Sequence, residues 1–208
     1  MSSPIDHLVW AGPDLFAAVA DFEKLTGIAP VPGGQHLGLG TRNFLVRLGE
    51  TSYLEILGPD PQQDAPSRPR PFGLDHLTEN RLVAWAIGVR GIEERVAAAR
   101  EAGWDPGRIV SMSRRKPEGV LLEWQLTMRR HETTAEPVPF LIDWGETTTP
   151  AETAAPGAEL VELVAMAPDE GALERHLRVL GAPAKVGHAM EPRLRAHLQT
   201  PSGDVTLS

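Results

Sequence analysis

The 208-residue chain is predicted to be an α+β protein of repeated βαβββ modules, whose curved mixed sheets surround a cleft. Three observations predict it. An apolar strand, an amphipathic helix and a stopping glycine recur in that order at residues 5–27, 82–103 and 159–181. The stop glycines, Gly27, Gly103 and Gly181, are spaced 76 and 78 residues apart, longer than a solenoid repeat and shorter than a usual domain. Three strand-like runs follow each helix, so each unit reads as a strand, a helix and three mostly antiparallel strands.

Each helix carries its own punctuation. Gly12-Pro13-Asp14 starts the first, with Asp14 available to cap free backbone N–H groups. Leu15, Val19, Phe22 and Leu25 then form an apolar stripe at helical spacing, and Gly27 can take the left-handed conformation that ends it. In the second helix the stripe is Ile92, Val96 and Ala99; in the third, started by Pro168-Asp169, it is Leu173, Leu177 and Leu180. Strands are expected at 37–39, 43–48 and 52–57, then 108–113, 121–128 and 138–144, then 185–190, 193–200 and 204–207. Pro117-Glu118-Gly119 is a hairpin turn, with Arg114-Arg115-Lys116 at its tip. Residues 59–71, with five prolines, and residues 146–157, rich in Thr, Ala and Pro, read as surface linkers. The organisation is therefore a paired unit over 1–145 (module one 4–58, module two 80–145) and a shorter third module over 158–208. That third module is expected to extend the sheet or to provide a homodimer surface.

Composition excludes several function classes. With 28 acidic and 20 basic residues the net charge is −8, and no long basic run suits nucleic acid. No apolar stretch is long enough to span a bilayer. There are no cysteines, which removes disulfides and thiolate chemistry. Met1-Ser2-Ser3-Pro4 has neither the charged nor the apolar region of a signal peptide, so a cytoplasmic location is expected.

Alternation along the first strand puts Ile5, His7 and Val9 on one face, and the strand at 52–57 does the same for Tyr53, Glu55 and Leu57. If both faces look into the cleft, an imidazole and a carboxylate meet there. Such a pair suits a divalent zinc, iron, manganese or nickel ion. The other reading of His7 is a hydrogen-bonded core residue. A carboxylate in an apolar strand is costly to bury without a partner, which favours a function for Glu55. The segment GGQHLGLGTRN has four glycines within Gly33 to Gly40 and can approach a ligand closely, offering His36, Thr41, Arg42 and Asn43. Its spacing and its place after a helix are wrong for a dinucleotide fingerprint. Trp85, Trp124 and Trp144 read as core or as a pocket wall.

The runs IDHLVWAGPDLFAAVADFEKLTG, GGQHLGLGTRNFLVRLG and SYLEILG resemble the start of the glyoxalase-like domain family. LLEWQLT and PVPFLIDWG resemble its central segments, so the likeness runs from residue 5 to about 145; the third unit follows only the pattern. The resemblance implies the vicinal-oxygen-chelate superfamily (glyoxalases, bleomycin resistance proteins and dioxygenases), with paired βαβββ modules. It also implies a metal site taking one ligand from the first and last strand of each module. Here those places supply His7 and Glu55 from module one and Asp143 from module two. The first strand of module two offers only Ala84 or Trp85, so water, His36 or His76 would have to complete the set. Two functions are expected from this. One is a small-molecule enzyme of lyase, isomerase or dioxygenase type, with a divalent ion on His7, Glu55 and Asp143, or with Glu55 as general base if no metal binds. The other is a metal-independent binding protein of drug-resistance type, with Tyr53, Trp85 and Trp124 lining the pocket.

Overall fold

The computed structural model describes residues 4–115, 119–129 and 137–208, with the Arg115 side chain outside that description. Pro117 and Glu118 of the expected hairpin turn also lie outside the described residues. Module one runs β1 (Ile5–Ala11), α1 (Leu15–Thr26), β2 (Val31–His36), β3 (Thr41–Arg47) and β4 (Tyr53–Pro59). Module two runs β5 (Arg81–Gly88), α2 (Ile92–Glu101), β6 (Arg108–Arg115), β7 (Leu121–Met128) and β8 (Phe140–Asp143). The third runs β9 (Glu159–Ala167), α3 (Glu170–Leu180), β10 (Lys185–His188), β11 (Arg193–Thr200) and β12 (Gly203–Leu207).

The helix signals act as expected. Asp14 accepts hydrogen bonds from the N–H groups of Phe16 and Ala17, Asp169 accepts from Ala172, and Gly27 and Gly181 close their helices in the left-handed region. The stripe of α1 is rotated from the one expected: Leu15, Ala18, Phe22 and Thr26 are buried, and Leu25 is exposed. Thr26 tolerates burial because its hydroxyl donates to the Phe22 carbonyl. The strand expected at 37–39 is a turn instead; the pairing run lies upstream in β2, and Gly38 and Gly40 take positive φ there.

Modules one and two share one topology. Their strands close a barrel in the order β1-β4-β3-β2-β6-β7-β8-β5, so each module places its first strand beside its last. One seam, β1 against β5, is paired from Ile5 to Ala11; the other, β2 against β6, is held by Gln35 opposite Arg115. The third module repeats the order of elements but not the pairing. There β9 lies between β10 and β11, in a separate sheet ordered β10-β9-β11-β12. It does not extend the barrel sheet. It packs outside it, and Leu163, Ala165, Leu177, Leu198 and Leu207 join Leu8, Trp10, Phe22 and Trp85 in one apolar core. Main-chain bonds from Leu82 to Ser208, Leu160 to Leu48 and Ser202 to Thr26 seat it there.

The segment after β8 is not a surface linker throughout. Ala151 and Ala154 are buried against Leu45 and Tyr53, and Ala155 exchanges main-chain bonds with Leu45 and Arg47. Small residues let this strap lie flat on β3. No helix among the described residues is long and apolar enough to cross a membrane.

Candidate active site

The barrel encloses a cavity of about 1360 Å³. Alternation decides what faces it. Strand β4 contributes Tyr53, Glu55 and Leu57, β3 contributes Asn43, and β8 contributes Phe140 and Ile142, with Trp144 just beyond. Trp124, Leu126 and Met128 come from β7, and Met112 and Arg114 from β6. The proline-rich segment before β5 supplies part of the rim, from Arg68 to Gly73 together with His76.

His7 and Glu55 do meet. Their Nε2 and Oε2 atoms are 4.0 Å apart, and the residues are 4% and 8% exposed. His36 turns its Nε2 to the other carboxylate oxygen at 3.7 Å. Burial lowers the His36 pKa, Arg114 and His7 push the same way, and the Glu55 charge only partly opposes them. Neutral His36 receives or gives a hydrogen bond at Thr41 Oγ1, 3.1 Å from its Nδ1. Tyr53 stacks on the His7 ring at 4.8 Å, and Phe140 meets that ring edge-on at 5.3 Å. Burial, reinforced by Asp6 and Glu55, raises the Tyr53 pKa well above its ordinary value, so its hydroxyl stays a donor.

Two further residues complete the centre, and the sequence reading places neither of them there. Asp6 follows Ile5 on β1 and should face away from His7. Between Ile5 and His7, however, β1 advances two residues while β5 advances one, from Ile87 to Ala86. This bulge turns Asp6, only 6% exposed, back beside its neighbour. Its carboxylate accepts from His7 Nδ1 at 2.6 Å and from Trp144 Nε1 at 2.9 Å, which leaves His7 Nε2 facing Glu55. Arg114 belongs to β6 and not to a hairpin tip. It is 2% exposed and donates from Nη1 to Asn43 Oδ1 at 2.9 Å. Asn43 in turn donates from Nδ2 to Glu55 Oε1 at 2.5 Å. An arginine can only donate and a carboxylate can only accept, so this chain fixes which way the Asn43 amide points. The sequence signals were an acid directly before a strand histidine and a cation two residues after Met112, on the same strand parity.

Other expected residues lie elsewhere. Asp143 does not reach the cavity. Its carboxylate accepts from Gly145 N at 2.9 Å and Ile92 N at 3.3 Å, capping the start of α2 on the outer face. Trp85, opposite Leu8 in the β1–β5 pairing, sits in the outer core with 0% exposure and donates from Nε1 to the Pro137 carbonyl. It does not line the cavity. Arg42 points outward to Gln62 and Asp60, and Thr41 is buried beneath His36. His36, Asn43, Tyr53 and Trp124 do line the cavity, where Trp124 packs on Trp144 at 5.1 Å.

The residues present do not fit the four-ligand metal site implied by the sequence resemblance. On β5 the residues facing with His7 and Val9 are Ala86 and Ala84, which have no donor atom. On β8 the inward residues are Phe140 and Ile142. Glu55 Oε1 is already held by Asn43, and among the described residues no three His, Asp or Glu side chains form a group arranged to hold an ion. The arrangement can instead take up and return a proton. A buried carboxylate faces an imidazole whose other nitrogen is fixed by Asp6, with a tyrosine hydroxyl beside them.

The family model for the glyoxalase-like domain matches residues 5–181. Among solved structures, a hypothetical protein from Staphylococcus aureus is similar at a TM-score of 0.64 and 15% identity, covering 97% of this chain and 83% of that one. That likeness shows the fold alone. Streptomyces coelicolor methylmalonyl-CoA epimerase is similar at a TM-score of 0.44 and 20% identity, over 72% of this chain and 100% of that one. The Mycobacterium tuberculosis methylmalonyl-CoA epimerase is similar at 0.43 and 17%, over 68% and 87%. No curated protein matches the sequence. With paired βαβββ modules closed round a cavity and the family model spanning most of its length, the chain belongs to the glyoxalase-like domain family.

Proposed function

We propose that this protein is an isomerase- or lyase-type enzyme that moves a proton on a small carbonyl compound held in the barrel, without a metal. One observation carries the proposal: the buried Glu55 carboxylate projects into the cavity, oriented by Asn43 and faced by His7. Glu55 takes the proton from the carbon next to the substrate carbonyl. The C–H electron pair passes to the carbonyl oxygen, giving an enolate, and the Tyr53 hydroxyl is a protonated donor for that oxygen. The proton returns to the same carbon from either face, or to a neighbouring one. His7, its Nδ1 held by Asp6, is the second proton carrier.

The charged centre favours an enzyme over a binder of apolar compounds. An apolar guest would strip water from Glu55 and Arg114 and offer neither a partner. The dioxygenase expectation needs a redox-active ion, and the inward residues of β5 and β8 offer no ligand for one.

The test is deuterium wash-in at the carbon next to the carbonyl, followed by proton NMR, with a panel of 2-oxo acids and 2-hydroxyketones. Chelator-treated wild type is expected to catalyse exchange, and Glu55→Gln to lose it by on the order of 10²-fold or more. Exchange that needs added zinc, iron, manganese or nickel, bound stoichiometrically and lost in His7→Ala and His36→Ala, would show a metal enzyme instead. Binding of panel members without any exchange would show a binding protein.

A further inference from the structure

The cavity contains a cation that the proton transfer leaves unused. Arg114 reaches from β6 over the intervening β2 to Asn43 of β3, joining module two to module one. It is almost wholly buried, yet among the described residues no carboxylate lies within ion-pairing distance of it; its hydrogen-bond partner is the neutral Asn43 amide. Buried charges are ordinarily paired, because a lone ion gives up its hydration on burial and gets nothing in return. The counter-charge is present one residue further on, in Glu55. Asn43 stands between the two and keeps them apart, one face of its amide on the guanidinium and the other on the carboxylate. A direct Arg114–Glu55 pair would satisfy both ions and leave the base unable to act. The spacer leaves Glu55 free for a proton and Arg114 free for an anion supplied from outside.

Room for this arrangement is made by Gly33 in β2. A methyl group there would run into Asn43 Oδ1 and Arg114 Nη1. Around the polar centre the walls are flat and aromatic: Tyr53, Phe72, Phe140, Trp124 and Trp144. Phe72 stacks on Phe140 at 5.9 Å and has a left-handed backbone, φ 57°. For a residue other than glycine such a conformation is costly, and residues held in it cluster at active sites and ligand clamps.

We infer that Arg114 is the anion receptor of the cavity, and that its ligand is an aryl-bearing carboxylate whose carboxylate binds the guanidinium while the carbon next to its carbonyl lies at Glu55. Planar guanidinium recognises carboxylate through paired N–H donors, and the aromatic walls receive the carbon body. The inference rests on reading this cavity as the substrate site, but it concerns binding and not the proton step.

The test is calorimetry, supported by tryptophan fluorescence, using phenylglyoxylate, phenylpyruvate and benzoate against their amides. Wild type is expected to bind at least one acid about tenfold or more tightly than its amide. Arg114→Gln is expected to lose that preference and leave amide binding unchanged, and Arg114→Lys to keep part of it. Glu55→Gln is expected to bind the acids at least as well as wild type. Equal affinity for acid and amide, full acid affinity in Arg114→Gln, or no binding of any of the three acids at millimolar concentration would overturn the inference. The acid–amide comparison is made on wild type, so it decides the matter even if the Arg114→Gln chain does not fold. Loss of exchange activity with acid binding intact would separate failure of the proton step from failure of the anion site.

Discussion

Replacing Gly33 by alanine tests the site through a single methyl group. The backbone at Gly33 does not have the positive φ that penalises a side chain, so the substitution acts through what the methyl meets. It meets Asn43 Oδ1 and Arg114 Nη1 at distances real side chains do not adopt. One of them must withdraw, and the 2.9 Å bond between them is the contact broken. A hydrogen bond to a charged group contributes about 1.5–3 kcal/mol, and with Arg114 at 2% exposure there is little solvent to replace it. We predict a loss of about 2 kcal/mol, which for a chain of this size lowers Tm by roughly 4–8 °C. Freed from Arg114, the Asn43 amide can rotate off Glu55, so exchange activity and acid binding should fall by about tenfold or more. Gly38→Ala is the control. Its φ of +78° makes alanine strained by about 1–2 kcal/mol, but its added methyl meets nothing within 4 Å. It should cost comparable stability and leave activity intact. Differential scanning fluorimetry and the exchange assay read both. If the two variants lose activity alike, or if Gly33→Ala is as active as wild type, the spacer reasoning is wrong.

Three other predictions follow from the same geometry. Asp6→Asn should lower kcat by on the order of 10²-fold with a smaller change in KM, because the amide has one acceptor oxygen for the two donors, His7 Nδ1 and Trp144 Nε1, and no charge to favour a protonated His7; steady-state kinetics checks this. Burial keeps the His36 pKa below 6.5 in the folded protein, so below that value the unfolded chain binds more protons. Stability should therefore be fully present above pH 6.5 and decline as pH falls towards the folded pKa. A series of Tm values from pH 8 to 5 should show this, with a shallower slope in His36→Gln; an unchanged slope would refute it. The remaining slope includes His176, which burial, Arg175 and Arg129 also lower. Trp124→Phe should remove much of the ligand-dependent fluorescence change. Trp85→Phe should lower Tm by a few degrees, through the lost bond to Pro137 and looser packing, and leave ligand binding as it was.

Much of the fold was readable because its signals are local. Asp14, Asp169, Gly27 and Gly181 cap helices through groups a few residues away, and β7 and β11 begin and end where alternation places them. The meeting of His7 with Glu55 was readable for a related reason: each lies on the inward parity of a regular strand. Arg114, followed by two further basic residues, reads as the tip of a hairpin. A charge run in sequence does not say that its first member is still within a strand and facing in. Asp143 carried the chemistry of a ligand but the wrong parity, and its carboxylate is used as a helix cap.

The sequence by itself determined the modules, their helices and the inward faces of the two strands that carry the imidazole and the carboxylate. These depend on periodicity and capping, which act over a few residues. The tertiary structure alone decided the rest. It gave the third unit a different strand order, turned Asp6 inward through a one-residue bulge, and brought Arg114 over β2 to Asn43. Each of those outcomes depends on which strands become neighbours when the barrel closes, and alternation within a single strand carries no record of that choice.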